Sequence, residues 1–382
     1  MSNSSASEAY VAQRGTHVAL AVAANLGRLS RTGSAQFVGH SSEPGAAVVI
    51  GGGPSCGGFD RIPPGVLTIC VNTSAPKVCA EIAPDALVIR EIVPAVRELS
   101  ALKHAPRTIV LDICVAPVTA ARAMEVAPVL WAIPGQALLG FVKRLLDQEP
   151  VYGGESAMNM AVSLATRWGC DRQSLIGCDL ALGLDGTAYG DGTAWSGCKA
   201  TAKDGSVDFG TTRYVMQANA RGAGVPAAFT REQTTPVLRE DGTPGLALST
   251  WVSQRAWVEQ WARRHPGHVF ANLSGGAKID GWPASATVLT GPPRHDVPRV
   301  TVDTGAIERE VCRQIRAARE AATDRAPWRS PDALDGWPLI DFAAAKEVLE
   351  TSYRNLPIKL ALAERGPIML RAADAVERAF AG

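Results

Sequence analysis

The chain has 382 residues, of which 46% are hydrophobic and 20% are charged, an ordinary balance for a globular protein with a substantial core. Because this length exceeds what one core usually serves, we expect a large domain with accessory segments. The formal net charge of +1 provides no overall field that would attract nucleic acid or an anionic membrane. The first residues lack the pattern of a secretion signal, and no apolar run approaches the ~20 residues that span a bilayer. We therefore expect a cytoplasmic protein without a membrane partner.

The sequence contains eight cysteines, and none of them forms a C-x-x-C pair or has a histidine at zinc-ligand spacing. Cys70 and Cys114 lie within apolar, strand-like runs, where a free thiol behaves as a small hydrophobic group. This pattern predicts reduced structural thiols, as is usual in cytosolic proteins.

The first half of the chain alternates between apolar strands and helices. Residues 1–45 predict a short helix at His17–Leu29 and then a loop. Continuous apolar runs follow, with helices between them, one of which is Val93–His104. Such runs indicate strands buried on both faces of a mostly parallel sheet, and hence a doubly wound, Rossmann-like α/β domain. The predicted strands are Ala46–Ile50, Val66–Val71, Ala86–Ile89, Thr108–Cys114 and Val129–Ile133.

The second half continues this pattern to about residue 299 and then changes character. Its predicted elements are a helix at Ser156–Trp168, a strand at Ser174–Ile176, a loop at Gly183–Gly210, a tryptophan-rich helix at Thr250–Arg264 and a strand at His268–Leu273. We therefore assign residues 46–299 to one α/β domain. Residues 300–382 carry a helical apolar stripe at Ile307, Val311 and Ile315, which predicts a helical tail. The tail would pack either on the core or on a second copy of the chain, as in a homodimer.

A loop rich in glycine follows the first apolar strand. This glycine loop consists of Gly51, Gly52, Gly53, Pro54 and Ser55. Glycines let the backbone turn sharply and let a ligand approach closely, and consecutive N–H groups in such a turn can form an anion-binding nest. The spacing matches neither the dinucleotide fingerprint nor the Walker loop, so a plain tight turn remains an alternative.

Polar residues also stand where other elements begin or end. Asn72 and Glu91 follow the second and third strands, and Gly154 and Ser156 precede a helix. Because the carboxyl ends of parallel strands form the ligand-binding edge of an open sheet, these residues are candidates for nucleotide contacts. A turn-forming asparagine, a solvated carboxylate and a simple helix cap are the alternatives.

Three more candidates follow the short strand at Ser174–Ile176. Asp179 stands at its end, where a carboxylate could orient a hydroxyl or hold Mg²⁺. Tyr189 and Asp191 lie in the loop beyond and could contact a departing phosphate or an acceptor. Lys278 follows a Ser-Gly-Gly turn and could pair with a phosphate, although most lysines are simply exposed.

These motifs occur in a characteristic order. Along the chain they read V-V-I-G-G-G-P-S, P-D-A-L-V-I-R-E, G-G-E-S-A-M-N-M, L-I-G-C-D-L-A, D-G-T-A-Y-G-D-G and V-F-A-N-L-S-G-G-A-K-I-D-G. The set resembles the 6-hydroxymethylpterin diphosphokinase MptE-like family, which includes the motility-associated-factor (Maf) flagellin glycosyltransferases. The resemblance covers about residues 46–283, and the Maf core is similar to bacterial sialyltransferases.

The resemblance implies two chemistries. A glycosyltransferase would move a sugar from a nucleotide donor of CMP type to a hydroxyl of a protein, glycan, pterin or other small molecule. The glycine loop and Asn72 would then hold the nucleotide, and Tyr189 would steady the leaving phosphate. A diphosphokinase would instead transfer diphosphate from ATP, with Asp179 holding Mg²⁺. A non-catalytic nucleotide-binding protein is the third alternative.

Two features favour the glycosyltransferase. The chain is longer than a minimal diphosphokinase should need, and the segment from Trp251 to Gly281 resembles the Maf proteins. Two positions depart from the Maf pattern, with Ser274 in place of Glu and Cys178 in place of the frequent Gln. The sialyltransferase likeness also implies a histidine base after the tyrosine loop, yet no histidine lies between His104 and His265. Either His265 or His268 would have to approach, a carboxylate such as Asp191 would serve as the base, or the reaction would be a different one.

Overall fold

The structure, a computed structural model, describes residues 18–90, 95–135, 140–154, 156–199, 201–203, 206–208, 231–284, 297–323 and 358–382. Thirteen strands lie within these residues. They are β1 (Ser34–Val38), β2 (Gly45–Ile50), β3 (Leu67–Val71), β4 (Ala86–Ile89), β5 (Ile109–Asp112), β6 (Val129–Ala132), β7 (Cys170–Ile176), β8 (Thr201–Lys203), β9 (Ser206–Asp208), β10 (Arg231–Leu238), β11 (Pro244–Leu248), β12 (Val269–Asn272) and β13 (Arg299–Asp303).

Nine of the strands form one sheet, in the order β12-β7-β2-β3-β4-β5-β6-β1-β13. All neighbours are parallel except β13, which pairs antiparallel with β1. Strands β11, β10, β9 and β8 form a separate antiparallel sheet of four. The predicted fold class, a mostly parallel Rossmann-like α/β sheet with a helical extension, is confirmed.

Helices cover both faces of the large sheet. They are α1 (residues 18–30), α2 (Ala75–Glu81), α3 (Val96–Ser100), α4 (Pro117–Val126), α5 (Gly140–Leu146), α6 (Ala157–Arg167), α7 (Ser249–Arg264), α8 (Gly305–Thr323) and α9 (Ile358–Ala381). Alternate residues of β2 belong to two different core clusters. Val48 and Ile50 belong to the cluster that also contains residues of α1, α4 and α8, whereas Ala47 and Val49 belong to the cluster that contains residues of α6 and α7. Burial on both faces explains why the strands are apolar without alternation.

The predicted tail packs on the core of its own chain. Ile307, Val311 and Ile315 are buried in the same cluster as α1 and the sheet. At the surface, Arg319 of α8 forms ion pairs of 2.6 and 2.7 Å with Asp374 and Glu377 of α9. The homodimer remains a prediction, and so do the domain boundaries. Among the described residues, no helix is both long and apolar enough to cross a membrane.

Several local predictions were wrong. The segment predicted to be a loop before Gly45 contains β1, and the predicted helical tail is preceded by β13 within residues 300–382. The loop predicted at Gly183–Gly210 contains β8 and β9. The helix predicted at Val93–His104 is described only as the five residues of α3.

All eight cysteines carry free thiols, and all except Cys312 are buried.

Candidate functional site

A cleft of about 650 Å³, measured out to its mouth, lies at the carboxyl ends of β2, β3 and β7. Strand β2 has β3, the next strand of the chain, on one side and β7 on the other, so the strand order reverses here. Open α/β sheets bind ligands at such a switch point. The lining residues are Gly51, Gly52, Gly53, Val71, Asn72, Thr73, Ser156, Ala157, Met158, Gly177, Cys178, Asp179, Leu180, Ala181, Ala188, Tyr189, Trp251 and Gln254.

The glycine loop is tied firmly to the end of β7. The N–H of Gly51 donates to the carbonyl of Ile176 at 2.8 Å, and that of Gly53 donates to Gly177 at 2.7 Å. A Cβ on Gly53 would collide with the Asp179 carboxylate, which explains the need for glycine there. Among the described residues, the Gly52 N–H has no acceptor. The loop therefore offers a ligand this one N–H rather than the run of N–H groups that the sequence predicted.

Asp179 holds the loop from within the cleft. Its Oδ2 accepts hydrogen bonds from the Ser55 N–H at 3.0 Å and from the Ser55 hydroxyl at 2.9 Å. The residue is only 4% exposed. Burial raises the pKa of this carboxyl above its usual value, and the Ser55 hydrogen bonds oppose that shift. Asp179 is also the only carboxylate in the described lining.

Residues 273–278, which we call the brace segment, support the Asp179 backbone from outside the cleft. The Ala277 N–H donates to the Asp179 carbonyl at 2.6 Å, and the Ser274 hydroxyl accepts from the Cys178 N–H at 2.9 Å. Lys278 is exposed, and its N–H donates to a carbonyl of β10. Its side chain does not belong to the cleft lining.

The amino terminus of α6 forms a second part of the lining. Ser156 caps the helix by accepting the Asn159 N–H at 3.1 Å, as the sequence predicted. The N–H groups of Ala157 and Met158, in the first turn, have no acceptor within the helix, and both residues line the cleft. With the helix dipole, these groups favour an anion at this position.

A buried ion pair fixes the turn before α6. The Arg90 guanidinium lies 3.1 Å from the Asp112 carboxylate, with side-chain exposures of 8% and 2%. Arg90 also donates to the carbonyls of Gly153 and Gly154. Burial raises the pKa of Asp112, and the charge of Arg90 opposes the shift. The pair thereby connects the ends of β4 and β5 to the start of α6.

The end of β3 supplies two polar side chains. The Asn72 N–H donates to the carbonyl of Val88, in the neighbouring strand β4, at 3.1 Å. Asn72 and Thr73 both line the cleft. The Asn72 side-chain amide forms no hydrogen bond with any residue that the structure describes, and the neighbouring Thr73 hydroxyl likewise forms none. Both groups could therefore bind a ligand.

Aromatic residues complete the lining. The Tyr189 ring lies 5.0 Å from that of Trp195 and 6.1 Å from that of Trp251, measured between centroids. Tyr189 and Trp251 pack on a small buried cluster that includes Leu182 and Leu248.

The structure brings some predicted site residues together and not others. Those in the lining are Gly51, Gly52, Gly53, Asn72, Ser156, Asp179 and Tyr189. Pro54, Ser55, Gly154, Asp191 and Lys278 do not belong to it, and Glu91 lies outside the described residues. Sequence reasoning missed Thr73, Met158, Trp251 and Gln254. The three-residue spacing of Trp251 and Gln254 on a predicted helix indicated a shared face but not that this face meets the cleft.

Neither histidine that the sequence offered approaches the cleft. His265 bonds the Trp261 carbonyl at 2.8 Å, and its ring lies 5.2 Å from that of His268 beyond the carboxyl end of α7. The described lining contains no histidine.

The described residues also do not fit a magnesium site built by the protein. The only carboxylate of the described lining already accepts two hydrogen bonds through Oδ2, and no group of three metal-ligating side chains occurs in the described parts of the chain. These residues alone would therefore not hold Mg²⁺ in the cleft.

No known family model and no curated protein sequence matches the chain. Among solved structures, the chain is similar to the Maf glycosyltransferase of Magnetospirillum magneticum AMB-1, with 13% sequence identity and a TM-score of 0.52. The similarity covers 96% of this chain and 55% of that protein, so the chain spans about half the length of its structural relative. The chain thus shares its fold with a Maf glycosyltransferase.

Proposed function

We propose that the protein is a glycosyltransferase that moves a sugar from a CMP-linked donor to a hydroxyl acceptor. The observation that carries this proposal is the cleft at the switch point of a fold shared with a Maf glycosyltransferase. Several uncommitted donors of the described lining lie at the α6 amino terminus, Gly52 and the end of β3, as a phosphate-linked donor requires.

The donor phosphate would bind at the start of α6. The described lining contains neither lysine nor arginine, so backbone N–H groups must supply the positive potential. Ala157, Met158 and Gly52 provide these groups, and Asn72 with Thr73 would bind the ribose or the base. Such donors stabilise the charge that develops on the leaving phosphate without having to reorganise during the reaction.

Asp179 would act as the general base. The acceptor hydroxyl oxygen attacks the anomeric carbon and passes its proton to the Asp179 carboxylate. The bond from the anomeric carbon to the phosphate oxygen breaks, and CMP leaves with the electron pair. Burial raises the pKa of Asp179 above its ordinary value, which suits a base that must accept a proton, and the Ser55 hydroxyl holds the carboxylate in position. Tyr189 would donate a hydrogen bond to the departing phosphate.

A thermal-shift screen tests this proposal. Purified protein is heated with CMP, UDP, GDP or ATP, each with Mg²⁺ and with EDTA. Because a ligand of the native state raises its stability by mass action, CMP should raise Tm in EDTA. Stabilisation by ATP with Mg²⁺ alone would instead support diphosphate transfer. Silence from every nucleotide would contradict the proposal and support neither chemistry.

A further inference from the structure

One side of the cleft lacks the character of a phosphate site. Trp251 and Gln254 lie three residues apart on α7, so they share one face of that helix. Both belong to the cleft lining together with Tyr189. The proposed phosphate and base contacts account for neither α7 residue.

The Gln254 amide is available to a ligand. It forms no hydrogen bond with any residue in the part of the chain that the structure describes, although it is half-buried. An amide offers two donors and an acceptor, and half-burial lowers its access to water. It can therefore bind hydroxyl groups of a molecule that enters the cleft.

The aromatic residues beside Gln254 are held in place. Trp251 packs against two buried clusters, and its ring meets that of Tyr189 edge to face, at 83°. Trp195 contacts Tyr189 from another direction, with the ring planes 58° apart. Rings fixed in this way present a firm apolar surface at little entropic cost.

A pyranose ring matches this pair of features. Its C–H groups form an apolar face that packs on indole or phenol rings, and its hydroxyls at the ring edge need donors and acceptors such as an amide. A nucleobase would also stack on tryptophan, so the two ligands must be separated by experiment.

We propose that Trp251 and Gln254, with Tyr189, form the subsite for the sugar ring of the nucleotide-linked donor. This inference rests on the proposed function, and it extends that function from the phosphate to the group transferred. The subsite would contact the sugar and would not contribute to the binding of the bare nucleotide.

The test compares CMP with CMP–N-acetylneuraminate by calorimetric titration in EDTA. Gln254→Ala should weaken binding of the CMP-sugar about fivefold, the effect of one hydrogen bond, and leave CMP within about twofold. Trp251→Phe, which keeps an apolar ring in the core, should weaken the CMP-sugar by a few-fold in the same selective way. Gln260→Ala is the matched control, because Gln260 is an exposed glutamine of the same helix outside the cleft lining.

The outcomes separate the two proposals. If the wild-type protein binds neither ligand, the proposed function fails and the subsite with it. If it binds both but Gln254→Ala weakens them equally, α7 contacts the nucleotide and the sugar subsite is wrong. If it binds both and neither variant changes CMP-sugar affinity, the subsite is also wrong while the proposed function stands.

Discussion

Two glycine-rich segments follow strands of the same sheet and look alike in the sequence, yet they have different roles. The glycine loop follows β2 in the interior of the sheet and lines the cleft, whereas the brace segment follows the outer strand β12 and supports the β7 turn. Both contact Asp179, the first at its carboxylate and the second at its backbone. Glycines after a parallel strand therefore do not suffice for a phosphate site. The position of the strand relative to the switch point decides their role.

The largest effect on activity should come from Asp179, which both segments contact. Asp179→Asn should lower kcat by about 100-fold or more, because the amide cannot take up a proton. Its carbonyl oxygen can still accept the Ser55 hydrogen bonds, so the protein should remain folded. Steady-state release of CMP from a CMP-linked sugar measures the loss. Asp191→Asn is the control, since Asp191 is exposed and lies outside the lining. Equal loss in both variants would contradict a specific role for Asp179.

The brace segment should affect stability more than binding. A Cβ at Gly276 would overlap the backbone of Asp179, whereas one at Gly275 would meet nothing within 4 Å. Gly276→Ala should therefore lower the free energy of unfolding by about 2 kcal/mol, as overpacking usually does. Gly275→Ala should change it by less than about 0.5 kcal/mol. Urea unfolding of the pair measures the difference, and equal stabilities would argue against the brace.

The glycine loop should show the opposite pattern. A Cβ at Gly52 would lie 2.8 Å from the Thr73 hydroxyl, 3.1 Å from the Thr73 Cβ and 3.3 Å from its carbonyl carbon, so Thr73 must shift. Gly52→Ala should thus lower the free energy of unfolding by about 1 kcal/mol. It should also crowd the free N–H and displace Thr73, which weakens CMP binding by about tenfold, the worth of a hydrogen bond to a charged group. Gly267→Ala, with open space around its Cβ, is the matched control. Unchanged affinity in Gly52→Ala would remove this N–H from the phosphate site.

The stability of the protein should depend on pH through the protonation of Asp179. Because burial raises its pKa in the folded state above the ordinary 3.8, the folded chain binds this proton more readily than the unfolded chain. Its contribution to stability therefore grows as pH falls through the folded pKa towards 3.8. The free energy of unfolding of Asp179→Asn, measured relative to that of the wild type, should therefore be higher at pH 7.5 than at pH 5. Urea titrations at the two pH values measure it; a relative value that rises on acidification would contradict the sign.

The smallest effect should come from Lys278. Its side chain is exposed and outside the cleft lining, so Lys278→Ala should leave CMP affinity within about twofold. The same titration that is used for Gly52→Ala measures it. A tenfold loss of CMP affinity would show that Lys278, and with it the brace segment, contributes to the phosphate site.

The sequence was sufficient to predict the sheet interior and the start of α6, because these depend on local patterns. Buried strands such as β2 read as unbroken apolar runs, and Ser156 precedes its helix as a cap should. The outermost strand β13 and its neighbour β1 were missed because they are partly polar and partly exposed. Their pairing joins residues that are far apart in sequence.

The site was only partly predictable for the same physical reason. Sequence could place Asp179 at a strand end, but it could not show that Ser55 holds the carboxylate or that β7 consumes most loop N–H groups. Trp251 and Gln254 enter the cleft because α7 packs beside α6, a tertiary contact without a local signature. Lys278 follows a glycine turn that resembles a phosphate loop, yet the strand before this turn, β12, lies at the edge of the sheet.

The glycosyltransferase proposal is best tested by incubating the wild-type protein with CMP–N-acetylneuraminate in EDTA and measuring the released CMP by chromatography. Water can replace the acceptor slowly, so no acceptor has to be known. We expect CMP release above the uncatalysed background, and its loss in Asp179→Asn. Binding of CMP without any release from this donor or from other nucleotide-linked sugars would contradict the glycosyltransferase and indicate a protein that binds nucleotides without transferring a sugar.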